Sequence, residues 1–255
     1  MNRPSLTALL AVLSLALAGK VHAGPPFVTD DPETVEFRHW EVYIASLVAH
    51  DSGGWSGTAP HLEINYGAVP NLQLHILAPL SFSAPKGEAR QYGYGDTELG
   101  AKFRFIEETE HRPQVGVFPL VELPSGDSTR GLGNGKAQIY LPLWLQKSFG
   151  PWTTYGGGGY WINQGEGNRN WWYAGWLMQR KITKQLTLGG EIFHETRKSD
   201  SEASNTKINV GGMFDFNDHW HLLFTAGHTV QGPSSFIGYL GLQYTFGPEK
   251  KEGAE

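Results

Sequence analysis

Phe236-Ile237-Gly238-Tyr239-Leu240-Gly241-Leu242-Gln243-Tyr244-Thr245-Phe246 is the stretch whose periodicity decides the fold class. Successive side chains of a strand point to opposite sides. Phe236, Gly238, Leu240, Leu242, Tyr244 and Phe246 therefore share one face, and Gln243 and Thr245 fall on the other. One face of this strand is built for lipid. The pattern recurs upstream: Leu62, Ile64 and Tyr66 oppose Glu63 and Asn65, and Leu72, Leu74 and Ile76 oppose Gln73 and His75. Leu99, Ala101, Phe103 and Phe105 oppose Glu98, Lys102 and Arg104; Ile208, Val210, Phe214 and Phe216 oppose Lys207, Asn209 and Asp215.

Such segments number about twelve, each about ten residues or more, where strands of soluble sheets average about 5 to 6. They fall near 38–49, 60–69, 71–82, 95–106, 114–123, 136–147, 151–162, 170–181, 185–195, 206–216, 219–230 and 235–246. Short links at Pro70, Glu107 to Pro113, Phe149 to Pro151, Thr183-Lys184 and Asn217-Asp218 alternate with longer polar ones. The longer ones are His50 to Ala59, Ser83 to Tyr94, Pro124 to Gly135, Asn163 to Arg169, Thr196 to Asn205 and Gln231 to Ser234. Tight periplasmic turns and longer external loops produce this alternation in outer-membrane barrels. The expectation is all-β: a transmembrane antiparallel β-barrel of about twelve strands with both termini at the short-turn end. Trp40, Trp152, Trp172 and Trp220 lie near strand ends, where interfacial aromatic girdles belong.

The rest of the chain agrees. Arg3, the apolar run from Leu6 to Ala18, and Val21-His22-Ala23 read as a signal peptide cleaved after Ala23. That run is shorter than the roughly 20 residues a spanning helix needs. The organisation is then 1–23 signal peptide, 24–37 periplasmic N-terminal segment, 38–246 barrel and 247–255 hydrophilic tail. After residue 23 no apolar run comes near 18 residues, and with a mean hydropathy of -0.34 this excludes a helical membrane protein but not a barrel, in which only alternate residues meet lipid. There is no Cys, hence no disulfide or thiol chemistry, and a net charge of -5 leaves no basic footprint for nucleic acid. Gly241 with Tyr244 and Phe246 resembles the C-terminal signal that outer-membrane proteins present to the barrel assembly machinery. That resemblance implies the bacterial outer membrane, with its lipid and this machinery as partners.

Three further stretches resemble one family. They are Val28-Thr29-Asp30-Asp31-Pro32 ahead of His39-Trp40-Glu41, the run Tyr94-Gly95-Asp96-Thr97-Glu98-Leu99-Gly100-Ala101-Lys102, and Leu123-Pro124-Ser125-Gly126-Asp127 leading to Gly131-Leu132-Gly133. The family is the outer-membrane barrel family labelled "putative MetA-pathway of phenol degradation", also described as porins or transporters. The resemblance implies movement of small, aromatic or hydrophobic molecules across the outer membrane. A family label does not establish a substrate.

With the apolar faces outward, the lumen holds Glu41, Glu63, Glu98, Glu122, Glu191 and Asp215 beside Lys102, Arg104, Lys136 and Lys207. A barrel of this size implies a narrow, partly obstructed channel. The mixed charge reads either as a constriction that selects solutes or as ion pairs that fill the barrel. Asp30-Asp31-Pro32 reads as a turn or cap, or as a cation site. His219 and His221 share a face, but with no third ligand evident no metal or cofactor is expected.

The resulting function is a channel or transporter for a small-molecule solute, not an enzyme. The alternatives are a lipid-acting barrel enzyme and a secreted soluble carbohydrate-binding or glycosidase domain. His75 and Ser81, about 20 Å apart along one strand, cannot form a dyad, and a soluble domain would leave the C-terminal aromatic signal without purpose. Pro79, Pro119 and Pro142 lie inside strands, where proline donates no ladder bond. Pro119 and Pro142 mark a candidate lateral seam, read either as bulges near the external rim or as a window to the membrane.

Overall fold

The computed structural model describes residues 26–248; the expected signal peptide and the tail beyond Pro248 lie outside the described residues. Twelve staves form one closed antiparallel ring. In chain order the strands are β1 (Trp40–Asp51), β2 (Gly54–Val69), β3 (Leu72–Pro85), β4 (Gln91–Tyr94), β5 (Thr97–Ile106), β6 (Gln114–Val117) and β7 (Leu120–Leu123). They continue as β8 (Gln138–Phe149), β9 (Trp152–Asn163), β10 (Trp171–Lys181), β11 (Leu186–Glu195), β12 (Asn205–Asp215), β13 (Trp220–Gln231) and β14 (Phe236–Phe246). β4 with β5 forms one interrupted stave and β6 with β7 another, since each pair lies along the same neighbours. β1 pairs with β14 from Trp40↔Phe246 to His50↔Phe236 and closes the ring. In hydrocarbon only closure satisfies every edge amide, which is why this sheet is a barrel and not a sandwich.

The outer face carries Ile44, Leu74, Ile76, Leu141, Ile208, Val210 and Leu240, all exposed. Trp40, Trp152 and Trp220 are exposed at the short-turn end and Trp172 at the long-loop end. Gln243 and Tyr239 are buried on the inside of β14, as the alternation requires.

Two expected long loops are largely strand. β1 and β2 run on to a tight turn at Ser52-Gly53, and β3 and β4 leave only residues 86–90 between them. Pro60 sits where the register slips between Thr58 and His61, so a proline that looks like a strand boundary is absorbed within β2. The loop from Pro124 to Ala137 remains long. Its short 3-10 turn, Ser128–Arg130, is capped by Asp127, and the Thr129 hydroxyl and amide hold that carboxyl below the usual aspartate value.

The N-terminal segment departs from expectation. The sequence places 24–37 in the periplasm; the described part, residues 26–37, packs inside the barrel. It touches the inner faces of β3, β5, β6, β9, β10 and β11, which only a lumenal segment can do together. Polar and charged anchors on Glu191, Gln73, Lys102, Arg104 and Gln114 and buried apolar contacts hold it there, whereas a free periplasmic strand would have only water.

Candidate functional site

The plug is built from the first of the family-like stretches. Glu191, 2 % exposed on β11, accepts the backbone N–H of Val28 (2.9 Å) and of Thr29 (2.7 Å). Asn209 of β12 donates to the same carboxylate. On the other side Lys102, 4 % exposed on β5, pairs with Asp30 at 2.9 Å, and Arg104 pairs with Glu33 at 3.0 Å. Gln114 donates to Glu33, and Gln73 accepts the amide of Val35. Phe27 is buried with Tyr155 and Leu177. The segment is thus strapped across the lumen between β11 and β5.

The wall is shaped to receive it. A Cβ at Gly175 would sit 2.1 Å from Thr29 Oγ1, one at Gly116 3.0 Å from Pro32 Cβ, and one at Gly67 2.0 Å from the Glu36 carbonyl. Each glycine is a place where strand and plug approach too closely for any side chain. Asp31 is 0 % exposed and accepts the amide of Glu33, the turn that the Asp-Asp-Pro stretch suggests. Among the described residues no cluster of His, Asp and Glu could hold a metal ion.

Beyond the plug the lumen has two unlike walls. Glu63, His75 and Glu98 line one: His75 lies 3.6 Å from Glu63 and 3.8 Å from Glu98, and Glu98 stands directly across from Glu122 in the ladder. Phe118, Trp144, Trp171, Tyr173 and Phe193 form the other as a buried cluster, with Tyr140, Trp161 and Val28 of the plug packed on it. β10 stands six staves from β2 in the ring of twelve, so Trp171 and Tyr173 face the wall that carries Glu63. Trp144 is 0 % exposed because Gly157 leaves room for its ring. Stacked rings bury large apolar area at low conformational cost, and here they pack against one another and fill the barrel beside the plug.

The other two family-like stretches meet at the outer mouth. Asp96 accepts the amides of Gly126 (2.8 Å) and Asn134 (2.5 Å), and Ser125 is bonded to Gly95 and Thr97. Asn134 also reaches Glu122. The Pro124–Ala137 loop is therefore stapled to the break between β4 and β5 and folds over the acidic wall.

Of the residues expected in the lumen, Glu41, Glu63, Glu98, Lys102, Arg104, Glu122, Glu191, Lys207 and Asp215 lie on the inner face. Lys136 does not: β8 begins at Gln138, which leaves Lys136 exposed in the loop. The nine do not form one constriction. Lys102, Arg104 and Glu191 hold the plug, Lys207 pairs with Glu195, and Asp215 lies 2.7 Å from His221. Asp215 and His221 border a cleft of about 470 Å³ at the short-turn end, beside Val35 and with Lys181 and Lys184 on its rim. His219 points elsewhere, to the Thr245 carbonyl. Tyr244 and Phe246 stack at the end of the closing strand, with Phe246 also against Trp40. Sequence inspection misses the aromatic wall; the available signal is Phe118, Tyr140, Trp144, Trp161 and Tyr173 at inward, nominally polar positions.

The three prolines differ in kind. Pro79 lies at a one-residue register slip beside the β4–β5 break, and its carbonyl is taken by Gly95. Pro119 and Pro142 lie at mid-strand, not at the rim. The ladder stops at Val117↔Leu143 and resumes in the same register at Leu120↔Tyr140. Phe118 therefore stands opposite Pro142, and Pro119 opposite Leu141, without ladder pairing.

Against this geometry, the sequence matches the family model "Putative MetA-pathway of phenol degradation" over residues 52–246. The chain belongs to this family. No curated protein matches it. In fold it is similar to the COG4313 outer membrane channel from Pseudomonas putida F1, with a TM-score of 0.72 and 15 % identity over 87 % of this chain and 100 % of that one. The KdgM porin, solved with disordered oligogalacturonate, gives 0.58 and 12 % over 81 % of this chain and 99 % of that one. The translocator domain of autotransporter NalP from Neisseria meningitidis gives 0.53 and 11 % over 82 % and 88 %. The family member is an outer-membrane β-barrel. At these identities the likeness establishes the fold, and function has to be argued from the lumen.

Proposed function

We propose that this family member is a gated passage for small aromatic or apolar solutes, closed at rest by its own N-terminal segment. The observation that carries the reading is the wall of stacked aromatic side chains directly above the plug, in a barrel that could hold that volume with polar filler as readily. The family's phenol-degradation label fits the same chemistry. An open, charge-selecting pore is not favoured, because Lys102 and Arg104 are engaged by the plug.

A catalytic role draws no support from the side chains. A serine–histidine contact, Ser234 Oγ to His228 Nε2 at 3.4 Å, has the other ring nitrogen against the Thr229 carbonyl, so no carboxylate orients the base. His75 is bracketed by Asn65, Glu63 and Glu98.

The test is initial uptake of radiolabelled phenol, and of a sugar of similar mass, by Gram-negative host cells that do or do not make the protein. Protein-dependent uptake of phenol, reduced by Trp144→Ala or Tyr173→Ala, is expected. Equal stimulation of the sugar, or no stimulation of either, overturns the reading.

A further inference from the structure

We infer that the acidic side of the lumen holds a binding site for an organic ammonium group, built from Glu63, His75, Glu98 and Glu122. The ladder puts the three carboxylates on one rung: Glu63 faces Leu77, Leu77 faces Glu98, and Glu98 faces Glu122 across β2, β3, β5 and β7. Like charges that face each other on neighbouring strands destabilise a sheet, so this rung calls for a positive partner. The lumen's own cations are engaged elsewhere. Lys102 pairs with Asp30 and Arg104 with Glu33, while Lys198 and Lys207 pair with Glu195. Among the described residues no Lys or Arg forms an ion pair with Glu63, Glu98 or Glu122; the basic group between Glu63 and Glu98 is His75.

The histidine itself points to a ligand. Its side chain is 5 % exposed, and its Nε2 has no hydrogen-bond partner. The neighbours fix which nitrogen carries the hydrogen. The Asn65 amide nitrogen donates to Glu63 at 2.8 Å, which turns the Asn65 oxygen toward His75, and Nδ1–H donates to that oxygen at 2.8 Å. Nε2 of the neutral ring therefore presents a lone pair. It faces Glu98 Oε2 at 3.8 Å, acceptor against acceptor and too far apart for a hydrogen bond. A positively charged donor answers both defects. An ammonium nitrogen about 2.9 Å from each atom completes a triangle on that base, with its third hydrogen directed at a neighbouring carboxylate of the rung.

A bare metal ion does not fit, since among the described residues no three His, Asp or Glu groups are placed to hold one. Hydrogen bonds from an ammonium reach farther than metal–oxygen bonds of about 2.0–2.6 Å and suit the wider spacing. Glu98, with a side chain 29 % exposed, is the movable cover: its rotation uncovers Nε2 toward the mouth beneath the Pro124–Ala137 loop. Beside the imidazole the Phe118 ring stands edge-on at 5.1 Å, an apolar neighbour for the organic part of the ligand. The Lys102 ammonium, 5.1 Å from the centre of the same ring, is balanced by Asp30. This site goes beyond the aromatic passage, which assigns no polar head group to its solute.

The test is calorimetric titration of the purified full-length protein in detergent at about pH 8.5, where an ordinary imidazole is neutral and an alkylammonium is charged. Three probes share one ring. Benzylammonium carries a charge and N–H donors, benzyl alcohol a donor without charge, and benzyltrimethylammonium a charge without donors. Benzylammonium is expected to bind about tenfold or more tightly than either of the others, the margin of charge-assisted over neutral hydrogen bonds. Glu98→Gln and His75→Phe should each weaken it by a similar factor, with heat-modifiable electrophoretic mobility showing that the barrels are folded. Glu122→Gln, which leaves the Asn65–His75 contact in place, is the further variant and should weaken it too. Equal affinity for benzylammonium and benzyltrimethylammonium means diffuse attraction to an acidic lumen and overturns the site. Benzylammonium binding that survives all three substitutions in folded protein overturns it as well. If no probe binds, the proton of His75 is the positive charge of the rung and the site is wrong. None of these outcomes bears on phenol uptake, so failure here is distinct from failure of the passage.

Discussion

Glu191→Ala is the perturbation that bears most directly on closure by the plug. The carboxylate receives three donors, Val28 N–H, Thr29 N–H and the Asn209 amide, in a setting with almost no exposure. Two of the three belong to the plug. A buried donor left without a partner costs about 1–3 kcal/mol, so the docked state loses roughly 2–6 kcal/mol, toward the lower end if water enters the space. Even 2 kcal/mol changes the ratio of docked to undocked segment by roughly 30-fold. Lys102–Asp30 and Arg104–Glu33 still hold the far side, so the segment swings from β11 and stays attached near β5. Single-channel recording in planar bilayers measures the outcome: wild-type protein is closed for most of the record, and Glu191→Ala has a markedly larger open fraction. Heat-modifiable electrophoretic mobility shows that the barrel is folded. An unchanged open fraction in a folded Glu191→Ala barrel refutes the role assigned to these bonds and to the plug as the gate.

Lys102→Met leaves the buried Asp31 and the half-buried Asp30 without their cation and is expected to destabilise by about 3 kcal/mol; Lys102→Met with Asp30→Asn recovers much of the loss, as thermal melts followed by circular dichroism will show. Asp96→Ala removes the acceptor of the Gly126 and Asn134 amides, so the Pro124–Ala137 loop should be cut faster by external protease in intact cells while the barrel persists. Phe246→Ala should reduce the amount of folded protein in outer-membrane fractions if the terminal aromatic is read by the assembly machinery; full recovery of folded barrel would remove that role.

The membrane architecture was legible before any coordinates, because the evidence for it is local. Leu240 and Leu242 against Gln243, or Phe103 and Phe105 against Lys102 and Arg104, state by parity alone which side meets lipid. Only a closed ring then satisfies every amide in hydrocarbon. Strand ends were less legible. Pro60 marks a boundary in sequence and a register slip in the folded chain, and β8 begins two residues later than periodicity suggests, which leaves Lys136 in the loop.

The lumen was legible in content but not in arrangement. Inward parity names Glu191, Lys102 and Arg104, yet parity cannot tell whether a charge faces water, another stave or a third element. That decision rests on contacts across 162 positions, between Thr29 and Glu191, and across 72, between Asp30 and Lys102. The gap at Pro119 and Pro142 is of the same kind: two prolines are visible in the chain, but the β6, β7 and β8 register alone puts them on adjacent rungs. Periodicity, a property of neighbours along the chain, determined the barrel, its outer face and its membrane. Tertiary structure decided that residues 26–37 pack inside it and that aromatic rings fill the space beside them, because those outcomes depend on which distant side chains share one enclosed space.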